Sequence, residues 1–151
     1  MQLRYVAVAA VAAMTTTACP ASIPPAYQKH LPPEHVLDGI PFLSGGATPE
    51  EREAVKREAQ EWPLEVVFYE RDGSKDRVLE DMPVTITDAA GKVVFDGISQ
   101  GPILLVKLPK GSYTVATKWD AWDFAKRVTL GDDRERVVFQ WSSPAATKSH
   151  T

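Results

Sequence analysis

Beyond residue 63, hydrophobic and polar residues alternate along most of the chain, and the alternation predicts strands. The clearest stretch is residues 101–119, GPILLVKLPKGSYTVATKW. Leu104, Val106 and Leu108 occupy alternate positions, and so do Tyr113, Val115 and Thr117. Side chains two apart lie on one face of a strand, so each arm can bury a face. Between the arms, Pro109 cannot donate to a ladder and Gly111 tolerates positive φ, which predicts a turn and hence a β-hairpin. Residues 64–70, LEVVFYE, put Leu64, Val66 and Phe68 on one face before Asp72-Gly73 ends the run. Residues 84–87 alternate after Pro83, and Ala90-Gly91 turns into residues 92–95. Residues 122–130 offer Phe124, Val128 and Leu130; residues 134–141 align Val137, Phe139 and Trp141. About seven short strands at regular spacing predict a mainly β fold, a sandwich.

The period changes upstream. Residues 48–62 read as one short helix, with Thr48 as N-cap, Pro49 in the first turn, and Glu51 placed to complete a capping box. Ala54, Val55, Ala59 and Trp62 form a narrow apolar stripe, and Pro63 stops the helix. So thin a stripe predicts a helix on a sheet edge or over an open end. Residues 19–47 carry Pro20, Pro24, Pro25, Pro32, Pro33 and Pro41, the composition of an extended tether. Ile40, Phe42 and Leu43 can dock its end, and Ser44-Gly45-Gly46 gives a turned connection. Residues 63–141 form the predicted β-sandwich domain, with Phe68, Phe95, Tyr113, Phe139 and Trp141 in its core. Residues 142–151 are a polar tail expected to be disordered.

Residues 1–18 are patterned as a secretory signal peptide: Arg4, an apolar run over 5–14, then small polar residues. The run is too short to span a bilayer. The expected location is therefore the periplasm. Cys19 is the only cysteine, which excludes an intramolecular disulfide. Its place at the end of the leader, after Ala18, predicts a lipid anchor there, and any membrane association only through it. Ordinary cleavage nearby is the alternative. The whole chain carries a net charge of −3, and losing residues 1–18 removes Arg4 and no acid. That balance argues against a nucleic-acid partner, which needs a basic face.

A family resemblance enters at particular residues. Val84-Thr85-Ile86-Thr87-Asp88 with Gly91, Gly101-Pro102, and Leu108-Pro109-Lys110-Gly111-Ser112-Tyr113-Thr114-Val115 resemble carboxypeptidase regulatory-like domains. These are related in fold to transthyretin-like and collagen-adhesin B-type modules. The order of leader, Ser44-Gly45-Gly46, short Glu/Arg-rich helix, β domain and terminal Phe139-Gln140-Trp141 resembles small exported proteobacterial proteins. The resemblance implies a transthyretin-like (prealbumin-like) Greek-key β-sandwich in which the Leu108–Val115 segment is half of a sheet-to-sheet unit. It implies no reaction, since fold does not fix function. Adhesin-type Lys–Asn crosslinks are excluded because the chain contains no Asn.

Candidate chemistry is sparse. His30, His35 and His150 lie outside the predicted β core, and a flexible tether gives His30, His35 and Asp38 no fixed metal geometry. There is no G-x-S-x-G elbow and no core Cys nucleophile. Glu80/Asp81 and Asp132/Asp133 read as solvated turn acids. The strongest binding feature is Lys118-Trp119-Asp120-Ala121-Trp122-Asp123. Two Trp three apart, flanked by acids, can stack on a sugar ring or hold an apolar partner residue; otherwise they cap the sandwich end. Trp119, Asp120, Trp122 and Asp123 are thus the candidate ligand residues, with no catalytic residue, metal or cofactor expected. The expected function is a non-enzymatic envelope module that contacts an envelope protein. A small-ligand or glycan binder using Trp119 and Trp122 is the alternative.

Overall fold

The structure, a computed structural model, describes residues 30–142. Cys19, the leader, the first part of the predicted tether and residues 143–151 lie outside the described residues. Ten strands form two sheets: β1 (His35–Leu37), β2 (Ile40–Gly45), β3 (Leu64–Asp72), β4 (Lys75–Val78), β5 (Met82–Asp88), β6 (Val93–Ser99), β7 (Ile103–Val106), β8 (Gly111–Trp119), β9 (Trp122–Leu130) and β10 (Glu135–Ser142). Among the described residues there is one α-helix, α1 (Pro49–Glu58), which ends in a 3-10 turn over Ala59–Glu61. The mainly β sandwich with one short helix is as predicted.

The first sheet runs β1-β2-β7-β3-β10, with β4 paired to the far half of β3. Most of its neighbours are antiparallel, but β10 lies parallel to β3, in register from Glu135↔Leu64 to Ser142↔Arg71. The second sheet runs β6-β5-β8-β9, all antiparallel. Leu64, Val66, Phe68, Leu104, Val106, Val137 and Phe139 of the first sheet bury against Val84, Ile86, Phe95, Tyr113, Val115, Val128 and Leu130 of the second. All five aromatic residues predicted for the core are buried.

The seven predicted strands are present, and β1, β2 and β4 are additional. The tether prediction therefore stops short: from His35 onward the chain is sheet. Pro41 is tolerated because β2 pairs there only with the three-residue β1, and its carbonyl accepts from Lys107 N at 3.0 Å. β4 (KDRV) carries no alternation, and its pairing with β3 is fixed by the short Gly73 turn (φ 63).

The predicted hairpin around Pro109–Gly111 is not one. β7 belongs to the first sheet and β8 to the second, so residues 107–110 cross between sheets. The reason lies in β7 itself. Ile103, Leu104, Leu105 and Val106 are all buried, which requires apolar cover on both faces. The first sheet has it: Leu104 and Val106 face the sandwich interior, while Ile103 and Leu105 pack with Leu43, Val55, Ala59 and Trp62. Tyr113 pins the crossover by donating its hydroxyl to Pro109 O at 2.7 Å.

Helix α1 thus covers the outer face of the first sheet over β2 and β7, not an edge or an open end. Its stripe is thin because three sheet residues, Leu43, Ile103 and Leu105, together with Trp62 supply the rest of that small second core. Thr48 caps it as predicted, accepting from Glu51 N at 3.2 Å. The Glu51 carboxylate reaches past the cap to Gly46 N at 2.7 Å. Packing requires the glycine at 45, where a Cβ would sit 2.4 Å from both Glu51 Oε1 and Pro32 Cγ, and the one at 101, where it would sit 2.4 Å from the Gly45 carbonyl. Gly46, at φ 97, closes the turn.

Candidate functional site

The inward stripes of four strands decide what lines one end of the sandwich. On β3, the stripe Leu64, Val66, Phe68 continues to Glu70. On β10, Val137 and Phe139 continue to Trp141, the register partner of Glu70. On β8, Tyr113, Val115 and Thr117 continue to Trp119. On β9, Trp122 and Phe124 stand opposite Trp119 and Thr117. Where these strands run out, the two sheets part, and a cleft of about 450 Å³ opens, lined by Glu70, Trp119, Asp120, Trp122, Phe124 and Trp141, with Gln140 and Ser142 at its side. Its size lies within the range of small-ligand pockets, about 300–1,000 Å³.

The aromatic floor is ordered. Trp141 is 7 % exposed. Phe124 meets it edge-on, with ring centroids 5.2 Å apart at 88°, and Trp119 lies 6.3 Å from it at 48°. Behind it Phe68 and Phe139 stack at 5.7 Å and 9°. Such offset and T-shaped pairs are favourable beyond the area they bury. Trp141 Nε1 is buried with no hydrogen-bond partner among the described residues.

The rim differs. Trp122 is 68 % exposed, the most exposed aromatic side chain of the described residues and one that nothing in the fold covers. It sits at the tip of the β8–β9 hairpin, whose two-residue connection places Asp120 at φ 55, a conformation asparagine and aspartate accept more readily than other non-glycine residues. Opposite, the Glu70 side chain is 17 % exposed, and its ion pair with Arg77, its cross-strand partner on β4, is long, 3.9 Å to Nη1 on a well-exposed arm. Two carboxylates therefore flank four aromatic rings, and among the described residues no lysine or arginine lines the cleft.

The structure brings together three of the four residues singled out in the sequence: Trp119, Asp120 and Trp122. Asp123 is not with them. The pleat turns it to the outer face of the second sheet, where it pairs with Lys118 at 3.8 Å. The cleft adds Glu70, Phe124, Gln140 and Trp141. Glu70 was legible in principle, because the Leu64-Val66-Phe68 alternation places residue 70 on the same face. Compared with models of protein families and with curated proteins, the chain matches none. The resemblance to carboxypeptidase regulatory-like domains thus rests on the residues quoted for it.

The other charged clusters are tied into the scaffold. Glu65, 4 % exposed on the outer face of the first sheet, is held by Arg134 at 3.2 Å and Arg136 at 3.7 Å. Lys126 points inward from edge strand β9 and donates to Val138 O of β10, with its ammonium 5.5 Å from the Phe139 ring. His35, predicted as a linker residue, is a strand residue with its ring 5.5 Å from Phe42. Among the described residues no group of three or more His, Cys, Asp and Glu is placed to hold a metal ion. None of their helices is long and apolar enough to cross a membrane.

Proposed function

We propose that this chain is a non-enzymatic module exported to the cell envelope, anchored through Cys19, that contacts a partner protein with the open aromatic end of its sandwich. One observation carries the reading: Trp122 stands exposed at a hairpin tip over a cleft floored by three further aromatic rings. Exposed Trp is uncommon on a protein surface, and Trp is the residue most enriched where protein interfaces concentrate their energy. The leader-like residues 1–18 support export, and the likeness to regulatory-like β-sandwiches supports an accessory role.

The test is site-specific photocrosslinking in intact cells, with benzoylphenylalanine replacing Trp122. A discrete protein adduct is expected, identified by mass spectrometry, captured reciprocally and lost in Trp119→Ala. Adducts that form equally well from position 96, on the bare face of the second sheet, would overturn it. Carbohydrate is the second reading, favoured by the polar Asp120 and Gln140 beside the exposed indole. Saturable sugar-dependent quenching of Trp fluorescence, abolished in a Trp119→Ala/Trp122→Ala variant, would establish it instead.

A further inference from the structure

The cleft combines two features that a purely apolar docking site does not need. Its rings come from Trp119, Trp122, Phe124 and Trp141, and among the described residues its only ionisable lining side chains are the acids Glu70 and Asp120. Glu70 is the more telling. It occupies an inward position of β3, next in the stripe after the fully buried Phe68, and its side chain is only 17 % exposed. A half-buried carboxylate there is costly unless a cation answers it. Its cross-strand partner Arg77 pairs with it only at 3.9 Å, without a hydrogen bond and from a side chain that is itself 76 % exposed, so this contact is one a ligand's cation can replace at little cost. The nearby lysines are engaged elsewhere: Lys118 with Asp123 on the outer face, Lys126 with Val138 O.

We propose that the cleft holds the cationic side chain of a lysine or arginine on the partner protein, with the charge against Glu70 and Asp120 and the methylene stem against the indoles. This rests on the protein-contact reading above and names what that contact grips. The physical basis is twofold. Aromatic faces attract cations, most strongly Trp, and more so where water is excluded. Long basic side chains bury their stems on apolar surface while the head reaches a charge. A neutral sugar would stack on the indole faces and donate hydroxyls to a carboxylate, but it carries no charge to answer the two acids.

The four indole N–H signals in a ¹H–¹⁵N spectrum provide the test. Trp62 is an internal reference, because it lies beneath α1 and donates to Glu58 Oε1 at 3.0 Å, on the far side of the first sheet. The probes are acetyl-Gly-Lys-Gly-amide, its arginine counterpart, and the norleucine peptide, which keeps the stem and lacks the charge. We expect the lysine and arginine peptides to shift the Trp119 and Trp122 signals saturably and leave Trp62 in place, with norleucine inactive. Glu70→Gln, with an unmoved Trp62 signal showing the fold intact, should weaken Kd about tenfold, the loss of one desolvated charged contact. Equal binding of the norleucine peptide, or an unchanged Kd in Glu70→Gln, would overturn the proposal. Peptide selectivity without crosslinked protein in cells would remove the protein-contact reading and leave a cation site. Crosslinks without peptide selectivity would do the reverse.

Discussion

Along β3 the inward stripe reads Leu64, Val66, Phe68 and then Glu70; along β10 it reads Val137, Phe139 and then Trp141. The interior and the mouth of the sandwich are thus successive positions on the same strands, two residues apart. In the interior, Phe68 and Phe139 stack nearly parallel and fully covered. At the mouth the rings tilt, a carboxylate appears, and an indole is left in solvent. Position along the strand, rather than residue type, decides which aromatic ring holds the fold and which is left at the surface.

The comparison breaks most easily at its interior end. Phe139→Ala should cost roughly 3–5 kcal/mol, since it opens a cavity beside Phe68 and Trp141. Each kcal/mol lowers the melting temperature of a small domain by roughly 4–8 °C. A thermal melt within a few degrees of the parent would show that the ring stack is not the centre of the core.

Tyr113→Phe isolates one hydrogen bond, the hydroxyl to Pro109 O, and should cost about 1 kcal/mol. It should also change the alkaline limb of stability. Burial, helped by the Asp88 charge, raises the Tyr113 hydroxyl above its ordinary value. The unfolded chain then ionises first, near pH ~10. The contribution is complete below that pH and falls away as pH rises toward the raised native value. Melts between pH 8 and 11 should show a shallower alkaline decline in Tyr113→Phe than in the parent; parallel declines would remove Tyr113 as their source.

Glu70→Leu sharpens the contrast by extending the interior stripe one step outward. A gain of about 0.5–1 kcal/mol is expected, together with loss of the response to basic peptides. A destabilised variant would mean that Glu70 is held by the fold and not left for a ligand. Trp122→Ala should be the quietest, within about 0.5 kcal/mol of the parent, because an exposed ring contributes little to folding. A larger loss would place Trp122 in the core.

Much of this was legible in the sequence. Period-two stripes predicted seven strands, the sandwich and its aromatic core, because alternation is dictated locally by the pleat. Pairing is not local. Pro109-Lys110-Gly111 reverses the chain, but a reversal does not say whether the next strand joins the same sheet. The unbroken run Ile103-Leu104-Leu105-Val106 was the available clue, since only a sheet covered on both sides can bury it. β1 and β2 were hidden by prolines that suggest a tether, and β4 by its charges. The candidate site was half visible: Trp119, Asp120 and Trp122 are close in sequence, whereas Glu70 and Trp141 arrive from strands that pair across seventy residues.

That long-range pairing also dictates when the protein can fold. β10 supplies Phe139 and Trp141 and covers one flank of β3 from Leu64 to Arg71. Until residues 135–142 are in place, that flank of β3 is bare and the stack of Phe68, Phe139 and Trp141 lacks two of its three rings. Contacts so distant in sequence form late and slowly. The flank of β3 and the aromatic interior therefore close only when residues 135–142 reach a partner strand about seventy positions earlier in the chain, so the two ends of the domain are sealed by the same event.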